Sequence, residues 1–197
     1  DAGNEYASGD KKDLRLPGLQ QELLEKVTAV GKPVALLLLA GSAMDLSWAN
    51  ENVDAIIDLW YPGARGGKVA AEALFGDISP CGKLPVTFYA STDDLPPFED
   101  YSMENRTYRY TDSKILYPFG YGLTYSNVEY SNAKADKTET AIGNSIVISA
   151  EVKNTGNYPV YEAVQVYVKD VEASVTVPKR ALKGIQVVKL EPKESKQ

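Results

Sequence analysis

The sequence predicts an α/β layer joined to a small β-sandwich. Residues 31–89 alternate short apolar runs with a helical pattern, whereas residues 125–190 contain short strands in which apolar and polar residues alternate. The first pattern is typical of helices covering a largely parallel sheet. The second pattern is typical of two packed sheets. The predicted fold class is therefore α/β, with a largely parallel sheet and flanking helices, followed by a β-sandwich.

Three apolar runs predict the strands of the α/β part. Val34–Ala40 lies between Pro33 and Gly41 and is apolar throughout, as expected for a strand that is covered on both faces. Val53–Trp60 is a second short run, and Leu84–Tyr89 is a third. The connection between the first two runs is expected to be short.

Two stretches have the apolar spacing of helices. The first covers Pro17–Val30, because proline is well tolerated in a first turn and Gly31 provides an end. The second covers Gly66–Phe75 and ends at Gly76. Both helices are expected to bury an apolar face. The expected face residues are Leu19, Leu23, Leu24, Val27 and Val30 in the first helix, and Val69, Ala70, Ala73 and Leu74 in the second.

The C-terminal part has the period of strands. Ser145–Asn154 and Ala163–Lys169 alternate apolar and polar residues, and Asn154–Gly156 is a turn signal between them. Further strands are expected at 127–133 and at 182–190. This pattern predicts a sandwich of the immunoglobulin or fibronectin type III kind. Residues 92–112 are too irregular for regular structure and too aromatic for a disordered linker, so we interpret them as an ordered crossing segment.

Composition excludes several classes of function. The 197-residue chain has a net charge of −6, which disfavours nucleic acid as a partner, and no apolar run is long enough to cross a bilayer. It has no histidine and a single cysteine, Cys81. The usual metal ligand and general base are therefore missing, and no metal or cofactor is expected. Any acid–base chemistry must use carboxylates, lysine or tyrosine. Whether the protein is cytoplasmic or secreted stays open.

The loop Pro62–Lys68 resembles a phosphate-binding loop only superficially. The motif requires glycine where this chain has Pro62, and serine or threonine where it has Val69. The simpler interpretation is a tight turn into a helix, made by its glycines.

The crossing segment carries the candidate sugar-binding residues. Tyr101 and Arg106 are the main candidates, because aromatic faces and planar guanidinium groups suit sugars and their hydroxyls. Tyr108, Arg109 and Tyr110 are further candidates, and for most of these five residues packing between domains is the favoured interpretation. Residues 105–107 also form a glycosylation acceptor motif, Asn-Arg-Thr.

Several blocks of the sequence resemble glycoside hydrolase family three, the β-glucosidases and β-xylosidases. They include LRLPGLQQELL, WYPGARGG, LFGDISPCGKLPVTF, LYPFGYGLTYS and VKNTGNYPVYEAVQVYV. Together these blocks cover the chain almost from end to end.

The resemblance implies a partial architecture. Family members carry a barrel, then an α/β sandwich domain, then commonly a fibronectin type III-like domain. This chain is expected to contain the C-terminal part of the α/β sandwich domain at 1–91, a crossing segment at 92–124, and the fibronectin type III-like domain at 125–197. The missing barrel and the missing first half of the sandwich domain are then its expected partners, with association of two copies as an alternative.

The resemblance also implies a mechanism. The family retains anomeric configuration by using two carboxylates. The resemblance implies that the acid/base is a glutamate shortly before the block that reads GDKKDLRLPG here, so Glu5 is the candidate, unless that residue lies upstream of Asp1. The nucleophile would lie on the missing barrel.

Two functions follow as hypotheses. The first is a C-terminal fragment of a retaining β-glycosidase that removes terminal non-reducing β-D-glucosyl or β-D-xylosyl residues from a β-linked oligosaccharide or glycoside. The second is a non-catalytic carbohydrate-binding or structural module. The choice between glucose and xylose is not predicted.

Overall fold

The computed structural model describes residues 11–197, so the candidate acid/base Glu5 lies outside the described residues. The described chain forms two compact units. Unit 1 comprises residues 11–72, Leu84–Tyr121 and Tyr167–Ala181. Unit 2 comprises Ala73–Lys83, Gly122–Val166 and Leu182–Gln197. None of the helices in this part of the chain is long and apolar enough to cross a membrane.

Unit 1 contains the predicted parallel pair of strands. Strand β1, Ala35–Leu38, runs parallel to β2, Ala55–Asp58, in a register that pairs Leu38 with Asp58. The sequence predicted only a short connection between them, and this connection contains a helix, α2, at Ser47–Asn52. A parallel pair needs a crossover rather than a tight turn, and α2 is part of this crossover.

The third predicted strand differs from its expectation. Only Phe88–Tyr89 forms a strand, β3, and it pairs antiparallel, through a bulge, with β4 at Ile115–Tyr117. These strands form a separate two-stranded sheet, whereas the sequence suggested one largely parallel layer. Pro85 interrupts the predicted strand, because it has no N–H to give to a ladder.

The helices begin and end close to their predicted bounds. Helix α1 is Gln20–Thr28, and α3 is Gly66–Phe75 as predicted. Gly18 has φ +58°, a left-handed conformation that separates Pro17 from α1. A short helix, α4, covers Thr107–Tyr110 inside the segment that was expected to be irregular.

The predicted helix faces are only partly buried. In α1 only Leu24 enters the core of unit 1, and the other expected face residues are exposed. In α3 the two alanines of the face are buried, whereas Val69 and Leu74 are 41% and 40% exposed. The core of unit 1 therefore depends mostly on residues outside α1 and α3, which are Leu38, Ala40, Met44, Leu46, Ala49 and Phe88 in addition to Leu24.

Unit 2 contains most of the predicted β-strands. Strands β5, Val128–Ala135, and β6, Ile148–Asn154, pair antiparallel, and β6 also pairs with β9 at Ser195–Lys196. Strands β7, Val160–Val168, and β8, Ala181–Leu190, form a second sheet.

The core of unit 2 is small. Its buried apolar residues are Val152, Val160 and Leu190. Asn154 is also fully buried, and its amide donates to the carbonyl oxygens of Tyr158 (2.7 Å) and Leu190 (3.3 Å). The predicted turn after β6 is therefore held by a buried side chain.

Candidate functional site

The candidate site that can be described is the loop at residues 97–113 of unit 1. It carries Tyr101 and Arg106, the two sugar-binding residues that the sequence predicts. Tyr101 is 84% exposed, and the neighbouring Phe98 is 69% exposed. Two aromatic rings therefore face solvent on one loop, as a sugar-stacking surface requires.

Arg106 shapes this loop from within. Its Nε donates to the carbonyl oxygen of Asp100 (3.0 Å), and one terminal nitrogen donates to that of Pro97 (2.5 Å). These bonds hold the segment that contains Tyr101. The observed role of Arg106 is therefore to brace the loop, and a direct contact between Arg106 and a sugar stays a prediction.

The Asp100 carboxylate has a structural role in the same loop. Its Oδ1 accepts a hydrogen bond from the backbone N–H of Ser102 (2.8 Å). This bond lowers the pKa of Asp100 below the ordinary value of a carboxyl group. Asp100 is therefore ionised at neutral pH, which suits a turn cap rather than a proton donor.

Asn105 links the loop to the residues that follow α4. Its Oδ1 accepts hydrogen bonds from the Thr111 hydroxyl (3.1 Å) and from the backbone N–H groups of Asp112 (2.7 Å) and Ser113 (3.3 Å), while its Nδ2 donates to the Ser113 hydroxyl (2.8 Å). The side-chain nitrogen to which a glycan would be attached is therefore already engaged in a hydrogen bond with Ser113. The acceptor motif at residues 105–107 consequently has a structural use in this fold.

The other aromatic candidate, Tyr108, is a packing residue. Its ring stacks on Phe119 with centroids 4.2 Å apart and meets the ring of Tyr167 edge-on at 6.1 Å. The guanidinium of Arg109 lies 5.8 Å from the same ring centroid. Tyr108 and Arg109 therefore take part in packing within unit 1, because the stacked face of Tyr108 is already covered, whereas packing between domains stays a prediction.

The carboxyl ends of β1 and β2 hold a group that the sequence did not single out. Asp58 ends β2, and its Oδ1 accepts a hydrogen bond from the backbone N–H of Trp60 (3.1 Å). Burial raises the pKa of Asp58 above the usual carboxyl value. Trp60 has φ +51°, an uncommon backbone conformation for a large residue. The signal that could have identified Asp58 is an acidic residue at the end of an apolar run. Such a residue lies at the carboxyl edge of a parallel sheet, where ligands commonly bind.

The loop Pro62–Lys68 has the geometry of a tight turn. Gly63 has φ +69°, and a Cβ atom on Gly66 would lie 2.5 Å from Cγ of Pro62. Lys68 lies 3.5 Å from the carboxylate of Glu72, one turn further along α3. The glycine interpretation therefore explains this loop without a phosphate. Within residues 11–197 no cluster of histidine, cysteine, aspartate or glutamate could hold a metal ion.

Comparison with known families identifies the class of this protein. The glycosyl hydrolase family 3 C-terminal domain matches residues 1–125, and a fibronectin type III-like domain matches residues 162–197. The chain belongs to glycosyl hydrolase family 3, as the sequence blocks suggested. An α/β part followed by a fibronectin type III-like part is also the predicted fold class.

The relatives are β-xylosidases and β-glucosidases. A xylan 1,4-β-xylosidase from Xylanibacter ruminicola is 41% identical over 92% of this chain and 21% of its own length. Among solved structures, a family 3 β-glucosidase from Bifidobacterium adolescentis has a TM-score of 0.86 and 32% identity, covering 97% of this chain and 30% of that protein. The Listeria innocua β-glucosidase in complex with isofagomine has a TM-score of 0.83 and 32% identity, covering 97% and 28%.

The chain spans about a quarter of the length of the relatives it matches. Most of each relative therefore has no counterpart in this sequence.

Proposed function

We propose that this chain is the C-terminal part of a retaining β-glycosidase that hydrolyses terminal non-reducing β-D-glucosyl or β-D-xylosyl residues. Membership of glycosyl hydrolase family 3 is the observation that carries the proposal, together with relatives named as β-xylosidases and β-glucosidases. In this proposal the chain contributes an acid/base loop, structural domains and an aromatic surface for the sugar. The domain boundaries at residues 91 and 124 stay part of the proposal.

Retention of configuration needs two carboxylates on opposite sides of one sugar, about 5 Å apart. One attacks the anomeric carbon, and the other protonates the leaving oxygen and then activates water. Glu5 is the proposed acid/base. The nucleophile is proposed to lie on a part of the parent protein that this sequence does not contain.

The first experiment compares the chain with its full-length parent on nitrophenyl β-glucoside and nitrophenyl β-xyloside. We expect the parent to release nitrophenol and the 197-residue chain to release none, because one carboxylate cannot assemble a two-carboxylate transition state. A parent that is inactive on both substrates would contradict the proposal. Hydrolysis by the chain alone would contradict the proposed division of the active site.

A second experiment tests Glu5 in the parent. Glu5→Gln should slow hydrolysis of unactivated disaccharides by about 10²-fold or more, the usual size of a lost acid/base contribution. Substrates with a good leaving group should suffer less in the first step, because such a group needs little protonation. Glu51→Gln, which changes an exposed glutamate of α2, is the matched control. Equal rates for Glu5→Gln and the control would contradict the assignment of Glu5 and favour an acid/base that lies upstream of Asp1.

The exposed rings of Phe98 and Tyr101 favour one alternative, a carbohydrate-binding module without catalysis. Titration of the chain with xylobiose and cellobiose by calorimetry discriminates the two functions. Binding by an inactive parent would favour the module. If neither sugar binds, the chain is not a free-standing binding module.

The expected partner is a further part of the same protein. Leu19, Leu23, Val27 and Val30 form an exposed apolar row along and just beyond α1, which we call the α1 row. An apolar row of this kind normally packs against another element. We propose that the rest of the sandwich domain or barrel covers the α1 row in the parent, and that a second copy covers it when the chain is alone.

A further inference from the structure

We propose that the loop between β7 and β8 is a positioning element for the candidate sugar loop of residues 97–106. Although this loop connects two strands of the C-terminal half, it belongs to unit 1, together with the end of β7 and the start of β8 (Tyr167–Ala181). It holds the segment after α4, and this segment in turn holds the loop that carries Tyr101. The consequence for sugar binding rests on the proposed function, whereas the ordering of the loop does not.

Lys179 makes the central contacts. Its backbone N–H donates to the carbonyl oxygen of Arg109 (2.7 Å), and its Nζ donates to the carbonyl oxygen of Thr111 (2.8 Å). The same Nζ pairs with the carboxylate of Asp112. Lys179 therefore contacts three residues at the end of α4, Arg109, Thr111 and Asp112. The last carbonyl groups of a helix have no partner within the helix, so they are available to such a donor.

An aromatic contact reinforces this attachment. The Tyr167 ring meets the stacked pair of Tyr108 and Phe119 edge-on, at 6.1 Å and 6.5 Å between centroids. The guanidinium of Arg180 lies 5.3 Å from the centroid of the Tyr167 ring. Edge-on aromatic pairs add to the stability that burial alone provides. Tyr167 and Lys179 thus attach the two ends of the β7–β8 loop to the same segment.

Hydrogen bonds extend from the attachment to the sugar loop. Asp112, which pairs with Lys179, donates its backbone N–H to Oδ1 of Asn105 (2.7 Å). The next residue, Arg106, donates to the carbonyl oxygens of Pro97 and Asp100. A shift of the segment after α4 would therefore displace Asn105 and Arg106, and with them the residues on either side of Tyr101.

The sugar loop needs such external support. In this loop Met103 and Asn105 have φ values of +67° and +57°, and Thr107, the first residue of α4, has φ +56°, although none of the three is glycine. Each such residue costs free energy and persists only where the surrounding structure holds it. The β7–β8 loop supplies part of this support.

The test measures hydrogen exchange on the 197-residue chain. Lys179→Met should speed exchange of the amides in residues 97–113 about tenfold, because it removes hydrogen bonds from a charged donor. Exchange in β6 should stay unchanged. Lys169→Met makes the same chemical change at an exposed position of the same loop and should leave residues 97–113 as in the wild type.

Two further variants keep the test decisive. Lys179→Arg retains a cationic donor and should restore slow exchange, whereas a merely volume-dependent defect would persist. Tyr167→Leu removes the aromatic contact and should speed exchange in the same segment. Unchanged exchange at residues 97–113 in both Lys179→Met and Tyr167→Leu would overturn the proposal.

Calorimetry with xylobiose and cellobiose separates the positioning role from the proposed function. If the wild-type chain binds either sugar, Lys179→Met should weaken the affinity several-fold and Lys169→Met should not. An unchanged affinity in Lys179→Met would overturn the role in binding. If the wild type binds neither sugar, the proposed contact at Tyr101 fails, while the exchange result still decides whether the β7–β8 loop orders residues 97–113.

Discussion

The cores of the two units are built in different ways. Unit 1 has an apolar core in which Leu46 and Phe88 are almost completely buried. In unit 2 the buried apolar residues are fewer, and the unit also contains a charged cluster. Glu162 is buried, lies 3.4 Å from Nζ of Lys83, and accepts a hydrogen bond from the Tyr130 hydroxyl (2.8 Å).

This difference shows how a small sandwich compensates for a small core. Lys83 also donates to the carbonyl oxygen of Gly122 (2.9 Å), so its charge has two partners. Burial, together with the bond to Glu162, raises the pKa of Tyr130 well above the usual value for tyrosine. The Tyr130 hydroxyl therefore stays protonated as a donor. Unit 1 should consequently be sensitive to lost volume, and unit 2 to lost charge partners.

The largest expected effect is a truncation in the core of unit 1. Phe88→Ala should lower the free energy of unfolding of unit 1 by about 4 kcal/mol, because it leaves a cavity in a packed core. Trp48 and Trp60 both lie in unit 1, so their fluorescence during denaturant unfolding reports on this unit. The control is Phe98→Ala, at a phenylalanine of the same unit that is 69% exposed, against 1% for Phe88. Similar losses in the two variants would refute the apolar-core interpretation.

The next effect concerns the charged cluster of unit 2. Lys83→Met should destabilise unit 2 by about 3 kcal/mol, because it leaves the buried Glu162 carboxylate without its cation. Hydrogen exchange of β6 measures this loss in the correct unit.

Two companion variants show whether the loss comes from the unpaired charge. Lys83→Met combined with Glu162→Gln should recover part of the stability, since glutamine carries no charge and can still accept from Tyr130. Lys189→Met breaks an exposed pair with Glu191 and should destabilise unit 2 far less than Lys83→Met does. A double variant less stable than Lys83→Met would contradict this explanation.

A smaller effect depends on pH. The pKa of Asp58 is raised on folding, so the folded chain holds this proton to higher pH than the unfolded chain does. Stability therefore falls as pH rises from the ordinary carboxyl pKa through the raised one. Asp58→Asn should stabilise unit 1 at pH 7 by less than about 1 kcal/mol, because the group is partly exposed, and the gain should vanish near pH 3.

Fluorescence-monitored unfolding at several pH values checks this prediction. Asp93→Asn changes an exposed carboxylate of the same unit and serves as the control. A gain for Asp58→Asn that is equally large at low pH would show that burial of the charge is not its cause.

The smallest effect on stability is expected in the α1 row. Leu23 is 62% exposed, so Leu23→Lys should change the free energy of unfolding by less than about 0.5 kcal/mol. It should nevertheless reduce self-association in sedimentation, because a charge now interrupts the apolar surface. Gln20→Lys adds the same charge at an exposed position of α1. Monomeric behaviour of the wild type at all concentrations would contradict self-association through this row.

Local patterns predicted the elements better than their burial. The apolar run at Val34–Ala40 and the spacing in Gly66–Phe75 identified β1 and α3, because their signals lie within a few neighbouring residues. The same spacing in α1 suggested a buried face, but only Leu24 is buried. Apolar spacing indicates that a helix face is suited to packing, but it does not indicate which element packs against that face.

The candidate site also has a part that the sequence predicts and a part that it does not. Tyr101 and Arg106 could be named from residue type, yet the bonds from Arg106 to Pro97 and Asp100 could not. The contact of Lys179 with Thr111 joins residues far apart in sequence, so no local pattern predicts it. Asp58 was overlooked because the predicted strand, Val53–Trp60, continued past it.

The amino-acid sequence by itself determined the fold class, the family and the main helices and strands. Propensity, periodicity and local blocks of residues are short-range properties, so they can be read along the chain. Only the tertiary structure decided which apolar faces are buried, that β3 pairs with β4, and that the β7–β8 loop packs in unit 1. These outcomes depend on contacts between residues that are far apart in sequence. Such contacts contribute free energy only when the chain has folded.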